Sequence, residues 1–254
     1  MSIRALAFAT LLVSGVSSWA LSEGELESIG RRVWKNECGG TVEGLTSWNE
    51  GEGFASLGIG HFIWYPKGVN GPYEESFPEL VRFLSANGEK LPAWLSASAD
   101  CPWSSRAEFR ADAGSAKMKE LRALLAASVK LQSQFLARRM ETALPKLLDA
   151  APAAKREHVK QQFQRLAATG KGTFALIDYV NFKGEGTNPT ERYKGEGWGL
   201  LQVLEGMDAS AKSPAQEFGA SAGRVLAQRV KNAEPKNETQ WLKGWTNRVH
   251  AYGE

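Results

Sequence analysis

The stretch Glu-Gly-Glu-Gly-Phe-Ala-Ser-Leu-Gly-Ile-Gly-His at residues 50–61 decides the fold of this chain. Short alternations of apolar and polar residues between glycines are typical of small antiparallel strands joined by tight turns. The alternation extends over residues 42–65, and Pro66 follows it. We therefore expect a small β-hairpin lobe at about residues 40–66.

A helix is expected immediately before this lobe. Apolar residues recur at helical spacing over residues 23–38. Ser22 is placed to cap the first turn, and Gly39 and Gly40 are placed to end the last one. Glu37 is therefore expected at the end of the helix, beside the hairpin.

The remainder of the chain has a helical pattern, which predicts a helical body at about residues 74–250. The predicted fold class is α+β and mainly α-helical, with one domain over residues 21–254. The helices of the body are expected near residues 76–86, 105–112, 115–127, 129–148, 153–168, 172–183, 213–231 and 239–250.

The N-terminus has the pattern of a signal peptide at residues 1–20. Arg4 precedes an apolar run, and Ser18 and Ala20 suit the −3 and −1 positions of a cleavage site. The apolar run is shorter than the roughly 20 residues that cross a membrane. We expect an exported chain, periplasmic or secreted, without stable membrane insertion; a retained N-terminal anchor is the alternative.

Composition narrows the classes of partner and cofactor. Without residues 1–20 the chain keeps 30 basic and 28 acidic residues, and the basic cluster at 138–165 is interleaved with acidic residues. Nucleic acid is therefore not an expected partner. Three histidines are scattered at 61, 158 and 250, so no metal site and no cofactor are expected. The chain is expected to be a monomer.

The two cysteines, Cys38 and Cys101, are an even pair in a chain that we expect to be exported. This pattern predicts one disulfide bond. Two unpaired buried thiols are the alternative.

Glu37 is the first candidate catalytic residue. Glycoside hydrolysis needs one protonated carboxyl and usually a second group across the sugar. The negative end of the helix dipole and partial burial would both raise the pKa of Glu37, and Glu50 is placed to be the second carboxylate. An ordinary solvated carboxylate at a helix end is the alternative for Glu37.

The helix and hairpin together resemble the catalytic segment of phage-type lysozymes over residues 26–61. In that family a helix-terminal Glu precedes a hairpin with an Asp and, six residues later, a Thr before an Ile-Gly-Ile-Gly-His run. The resemblance implies a lysozyme-like fold, with Glu37 as general acid, Glu50 as second carboxylate and Ser56 as a residue that positions water. The chain differs in having Glu for Asp, Ser for Thr and a longer interval, 13 residues, after Glu37. Glu52 or Glu43 could therefore take the second role.

A second segment, residues 174–203, resembles the motif of soluble lytic transglycosylases and goose-type lysozymes. Glu185, then Asn188-Pro189, then Gly-Leu-Leu-Gln-Val at 199–203 correspond to the catalytic Glu, the Asn-Pro and the later Gly-Leu-Met-Gln run of those families. The resemblance implies that Glu185 is a cleft residue or a rival acid. A surface loop that caps the helix at 198–207 is the alternative for residues 184–197.

The expected function is that of an exported, lysozyme-type glycoside hydrolase acting on peptidoglycan or a related aminosugar polymer. The alternatives are a lytic transglycosylase using Glu37 or Glu185, and a non-catalytic protein that binds or inhibits at the glycan. The residues expected to contact the glycan, some as stacking walls and some as hydrogen-bonding groups, are Trp48, Glu52, His61, Trp64, Glu185, Asn188, Trp198 and Gln202.

Overall fold

The computed structural model describes residues 21–254 apart from Pro72 and Pro235. The predicted signal peptide at residues 1–20 lies outside the described residues. In the described part of the chain, no helix has the length and apolar character needed to cross a membrane.

Helix α1 runs from Glu23 to Cys38, as the sequence predicts. Ser22 and Glu25 form a capping box, in which each side chain accepts a hydrogen bond from the other residue's backbone N–H. The helix ends at Gly39, whose φ of 64° is left-handed. Glu37 therefore lies in the last turn.

A three-stranded antiparallel sheet follows, in the order β1-β2-β3. Its register pairs Ser47 with Ser56 and Ser56 with Ile63, so these three side chains share one face. The opposite face packs into the core, while Ser47 and Ile63 are only partly buried. The strands are β1 at Thr46–Ser47, β2 at Ala55–Leu57 and β3 at Phe62–Trp64.

The other helices form the body, and the buried apolar residues make one cluster from Ile29 to Tyr252. The expectation of a mainly helical α+β protein is confirmed. Short 3-10 turns lie at Glu43–Leu45, Ala153–Lys155 and Ala251–Gly253. The helices are α2 Phe77–Ala86, α3 Arg106–Ala111, α4 Ala116–Ala127, α5 Val129–Ala150, α6 Arg156–Ala167, α7 Gly170–Lys183, α8 Leu200–Glu205, α9 Pro214–Asn232 and α10 Thr239–His250.

The turn between β2 and β3 is braced from inside by Gln132, a fully buried residue of α5. Its Oε1 accepts a hydrogen bond of 2.9 Å from the Ile59 N–H, while its Nε2 donates to the Leu125 carbonyl at 2.7 Å. Gly58, in the same turn, has a φ of 71°. The Gly58 N–H donates to the Leu45 carbonyl at 2.8 Å, which ties the turn to the segment after α1.

The C-terminal turn at Ala251–Gly253 contacts α1 and α7. Arg32 donates from Nη2 to the carbonyl of Ala251 at 3.0 Å, and the turn Ala251–Gly253 contacts α7. Helix α10 therefore ends beside the helix that carries Glu37.

The predicted disulfide is wrong, because Cys38 and Cys101 are both free and buried. The Cys38 thiol lies 3.4 Å from the carbonyl of Gly58, in the β2–β3 turn. Cys101 instead pairs with Pro66, beyond the opposite end of β3. A disulfide requires Cα atoms within about 7 Å of each other, and the sheet separates these two positions.

We predict that the unfolded, unreduced protein reacts with two equivalents of a thiol reagent. The folded protein should react far more slowly, since burial raises the pKa of Cys38 to about 12 and that of Cys101 to about 11. A titration with and without prior reduction measures both values. A gain of two thiols on reduction would mean that a disulfide forms.

Gly58→Ala is expected to lower the free energy of unfolding by about 3 kcal/mol, measured by urea denaturation. A Cβ at this left-handed position would lie 2.4 Å from Gln132 Oε1. Gly51→Ala is the matched control, since Gly51 has a φ of 83° and its Cβ would meet nothing within 4 Å. The free energy of unfolding of the control should fall by only about 1 kcal/mol. Equal losses in the two variants would argue against a tight contact between Gln132 and the β2–β3 turn.

Candidate active site

Glu37 lies between a cation from the end of the chain and a histidine from the sheet. Its side chain is 13% exposed, and Oε1 forms an ion pair with Nη2 of Arg248 on α10. Nδ1 of His61 lies 3.7 Å from Oε2, beyond hydrogen-bond range but close enough for an ion pair when the imidazole is protonated. The structure thus brings Glu37 and His61 together and adds Arg248, which the sequence did not indicate.

The position of Arg248 is set by Asp178, a fully buried residue of α7. Arg248 donates from Nε at 2.8 Å and from Nη2 at 2.9 Å to the two oxygens of this carboxylate. Asn36 Nδ2 donates to the same group at 3.0 Å, and the Tyr252 hydroxyl donates at 2.6 Å. Four hydrogen bonds thus compensate a carboxylate that has no contact with water.

Arg248 keeps its charge in this setting. Burial opposes its charge, but the hydrogen bonds and the negative charges of Asp178 and Glu37 outweigh burial and raise the pKa of the guanidinium above its ordinary value. The ring of Phe182 lies 4.3 Å from the guanidinium carbon. The arginine is therefore held on several sides while one nitrogen contacts Glu37.

Three other site residues predicted from the sequence lie along the sheet. His61 lies in the β2–β3 turn at one end of the sheet, with a φ of 49° that is uncommon outside glycine. Ser56 is in the middle strand and is 3% exposed. Glu50 lies exposed in the β1–β2 turn at the other end. In this turn the Asn49 amide donates to the Glu52 carboxylate at 3.1 Å.

Two of the tryptophans expected to stack on sugars lie in the core. Trp48 is 7% exposed, donates from its ring N–H to the carbonyl of Glu52 and packs edge-on against Phe109. Trp64 is 2% exposed. It packs against the rings of Phe77 and Trp103. Their faces are covered by protein, so the expectation that they form the walls of a cleft is corrected.

Hydrogen bonds of the backbone and of the Gln202 side chain join the two halves of the second motif. Leu201 N–H donates to the carbonyl of Glu185 at 2.9 Å. Gln202 accepts from the Gly199 N–H at 2.9 Å and donates to the carbonyl of Gly186 at 3.1 Å. The expected glycan contact Gln202 is therefore a brace that joins the end of α7 to the start of α8.

The remaining residues of this segment differ in exposure. Glu185 is partly buried, while Asn188 is exposed and accepts two hydrogen bonds from Thr190 within its own turn. Trp198 is partly buried, with the ring of Tyr193 at 4.6 Å and the guanidinium of Arg229 at 4.2 Å. This tryptophan is the one of the three that lies outside the core.

Sequence reasoning did not identify Arg248, Asp178, Asn36 or Tyr252. Arg248 follows Glu37 by 211 residues, so no local spacing connects the two. One signal was available, because Asp178 is the only acidic residue in the apolar run Phe-Ala-Leu-Ile-Asp-Tyr-Val at 174–180. A lone acid on the buried side of a helix requires a partner, although the pattern does not identify that partner.

Within the described residues, no group of three or more His, Cys, Asp or Glu side chains could hold a metal ion. No protein-family model, curated protein or solved structure matches this chain.

We expect Asp178→Asn to lower the free energy of unfolding by about 3 kcal/mol or more, because it leaves Arg248 partly buried without half of its charge compensation. Tyr252→Phe removes a single hydrogen bond to the same carboxylate and should lower it by about 1.5 kcal/mol. Urea denaturation of both variants checks the difference. Equal losses would show that the Asp178 charge does not hold this network together.

Proposed function

We propose that this chain is a lysozyme-type glycosidase in which Glu37 is the general acid. The observation that carries the proposal is the position of Glu37, a mostly buried carboxyl at a helix end where the last helix and the sheet meet. Arg248 contacts one carboxyl oxygen and His61 faces the other, so the group is oriented from both sides.

Arg248 fits the chemistry of a carboxylic acid that gives up its proton. Donation to the leaving oxygen of a glycosidic bond converts Glu37 into a carboxylate. The guanidinium of Arg248 holds the carboxylate that this step leaves, in the ion pair that the structure shows. Before the next donation, Glu37 has to take up a proton within this contact. Arg248 therefore assists the acid, and Asp178 acts as a positioning residue that holds Arg248 in place.

Ser56 is 3% exposed, so we assign the second half of the reaction to the exposed turn between β1 and β2. Glu50 and Glu52 lie at the far end of the sheet, and β2 between the two turns has three residues. At roughly 3.3 Å per residue, this spacing favours a separated pair of carboxylates with water between them over the roughly 5 Å needed for a covalent intermediate. We propose that Glu50 activates or orients that water.

Peptidoglycan is the proposed substrate, encountered in the cell envelope after export. The signal-peptide pattern of residues 1–20 supports this location. An aminosugar polymer is also what the resemblance of residues 26–61 to phage-type lysozymes implies.

A lytic transglycosylase reaction is the second candidate. The observation in its favour is the joining of Gly184-Glu185-Gly186 to residues 199–202, which gives the second motif a defined structure of its own. In that reaction the 6-hydroxyl of the muramyl sugar attacks its own C1, so an anhydro sugar forms and no water enters the product.

The two reactions differ in the oxygen that enters the product. The mature protein is incubated with purified peptidoglycan in ¹⁸O-water, and the soluble products are analysed by mass spectrometry. We expect reducing-end muropeptides that carry one heavy oxygen per cleaved bond. Glu37→Gln is expected to lower the rate by about 10²–10⁴-fold, the usual contribution of a general acid.

Glu27→Gln is the matched control, since Glu27 is an exposed carboxylate of the same helix that forms an ion pair with Arg31, one turn later. It should keep full activity. Anhydro products without heavy oxygen, abolished by Glu185→Gln and not by Glu37→Gln, would show that Glu185, and not Glu37, is the catalytic acid. If the folded protein releases no product from peptidoglycan, the proposal that it is a glycosidase is wrong.

A further inference from the structure

Lys183, the last residue of α7, is held between two aromatic rings. Its ammonium nitrogen lies 4.1 Å from the centre of the Phe182 ring and 3.5 Å from the centre of the Trp245 ring on α10. The residue is partly buried and still reaches solvent. The two rings therefore fix the amine in place, and protein covers the residue only in part.

The two neighbouring cations, Arg229 and Arg248, each form an ion pair with a carboxylate, whereas Lys183 does not. Arg229 binds both oxygens of Glu238, at 2.8 and 3.0 Å. The Tyr193 hydroxyl also donates to Glu238, so that carboxylate already accepts three hydrogen bonds. Arg248 is paired with Asp178 and Glu37. Among residues 21–254, apart from Pro72 and Pro235, no carboxylate lies within ion-pair distance of Lys183.

The electrostatic setting of Lys183 disfavours its charge. Burial has the largest effect, the positive charges of Arg229 and Arg248 add to it, and Glu238 opposes them; the pKa falls to about 7. A carboxylate placed beside the amine would supply the missing counter-charge. Binding of such a ligand should therefore draw a proton onto Lys183 when the pH is above 7.

The amine is also close to the proposed acid. The ring of Phe182 lies 4.1 Å from the Lys183 nitrogen and 4.3 Å from the guanidinium carbon of Arg248, which contacts Glu37. Lys183 and the arginine that contacts Glu37 thus pack against the same aromatic ring.

We propose that Lys183, clamped by Phe182 and Trp245, binds a carboxylate carried by the polymer that is cleaved at Glu37. This inference rests on the proposed function and deepens it, because it selects between substrate classes. Chitin-type chains carry no carboxylate, whereas peptidoglycan carries carboxylates on its stem peptides and, where the peptide is absent, on the lactyl group of the sugar. The site therefore favours peptidoglycan over a neutral aminosugar polymer.

The test measures binding of ligands that the enzyme cannot cleave further, by isothermal titration calorimetry. The ligands are a disaccharide-peptide from peptidoglycan with free carboxylates, the same molecule with amidated carboxylates, the peptide-free disaccharide with its lactyl carboxylate, and a neutral chitin disaccharide. The protein is the mature chain with Glu37 intact. We expect the free acid to bind about tenfold more tightly than its amide, as a charge-assisted hydrogen bond at a partly buried site would provide.

Three variants separate the roles of charge and shape. Lys183→Met keeps the apolar contact with Trp245 and should abolish the preference for the free acid, leaving the affinity for the amide unchanged. Lys183→Arg should keep the preference but lose the proton uptake, which at pH 8 should approach one proton per ligand in the unmodified protein. Lys243→Met is the control, because Lys243 is an exposed residue of α10.

The outcomes distinguish a failure of the carboxylate site from a failure of the proposed function. Equal affinity for acid and amide, or a preference that survives in a folded Lys183→Met protein, would overturn the carboxylate site alone. Binding of none of the four ligands would overturn the proposed function and this inference with it. If the peptide-free disaccharide keeps the Lys183-dependent preference, the carboxylate bound is that of the sugar; if only the disaccharide-peptide keeps it, the carboxylate belongs to the stem peptide.

Discussion

The buried charge of Asp178 is the constraint on which the candidate site depends. A carboxylate without access to water is stable only if donors surround it, and here they come from three separate parts of the chain. Asn36 is on the first helix, Arg248 is on the last, and Tyr252 follows the last. The same hydrogen bonds that compensate one charge therefore fix the relative positions of α1, α7 and α10. This arrangement also determines the position of Glu37, because Glu37 is adjacent to Asn36 and paired with Arg248.

The sheet meets this network from the other side. Strands of two and three residues have little stability of their own. Their register is set instead by what the turn between β2 and β3 contacts, which is the side chain of Gln132 below it and the carbonyl of Leu45 beside it. Because His61 belongs to this turn, its approach to Glu37 is fixed by a buried amide on α5, not by hydrogen bonds within the sheet. Helix packing and sheet register thus both contribute to the geometry around one carboxyl group.

Features that depend on neighbours in the sequence could be predicted, and features that depend on distant contacts could not. Helix α1 and its end beside Glu37 follow from a capping box and a glycine within the segment itself. The partner Arg248 lies at the other end of the chain, where its sequence neighbours give no sign of a carboxylate. Trp48 and Trp64 flank polar segments in the sequence, but strand alternation and the packing of the loop turn their rings inward. The two cysteines fit a disulfide by number alone, and only the register of the sheet shows that they lie at opposite ends.

The second glycine-rich motif gains a physical role once its contacts are considered together with Lys183. Gly184 ends α7 directly after the lysine, and the brace from Gln202 to Gly186 holds the chain where it leaves the helix. Without that brace, the last turn of α7 could fray, and the amine would lose its place between the rings of Phe182 and Trp245. If Glu37 is the acid, the two segments that resemble different families of glycan-cleaving enzymes need not compete for one catalytic role. The first would then supply the acid at the end of α1, and the second fixes the end of α7, where Lys183 has no carboxylate partner.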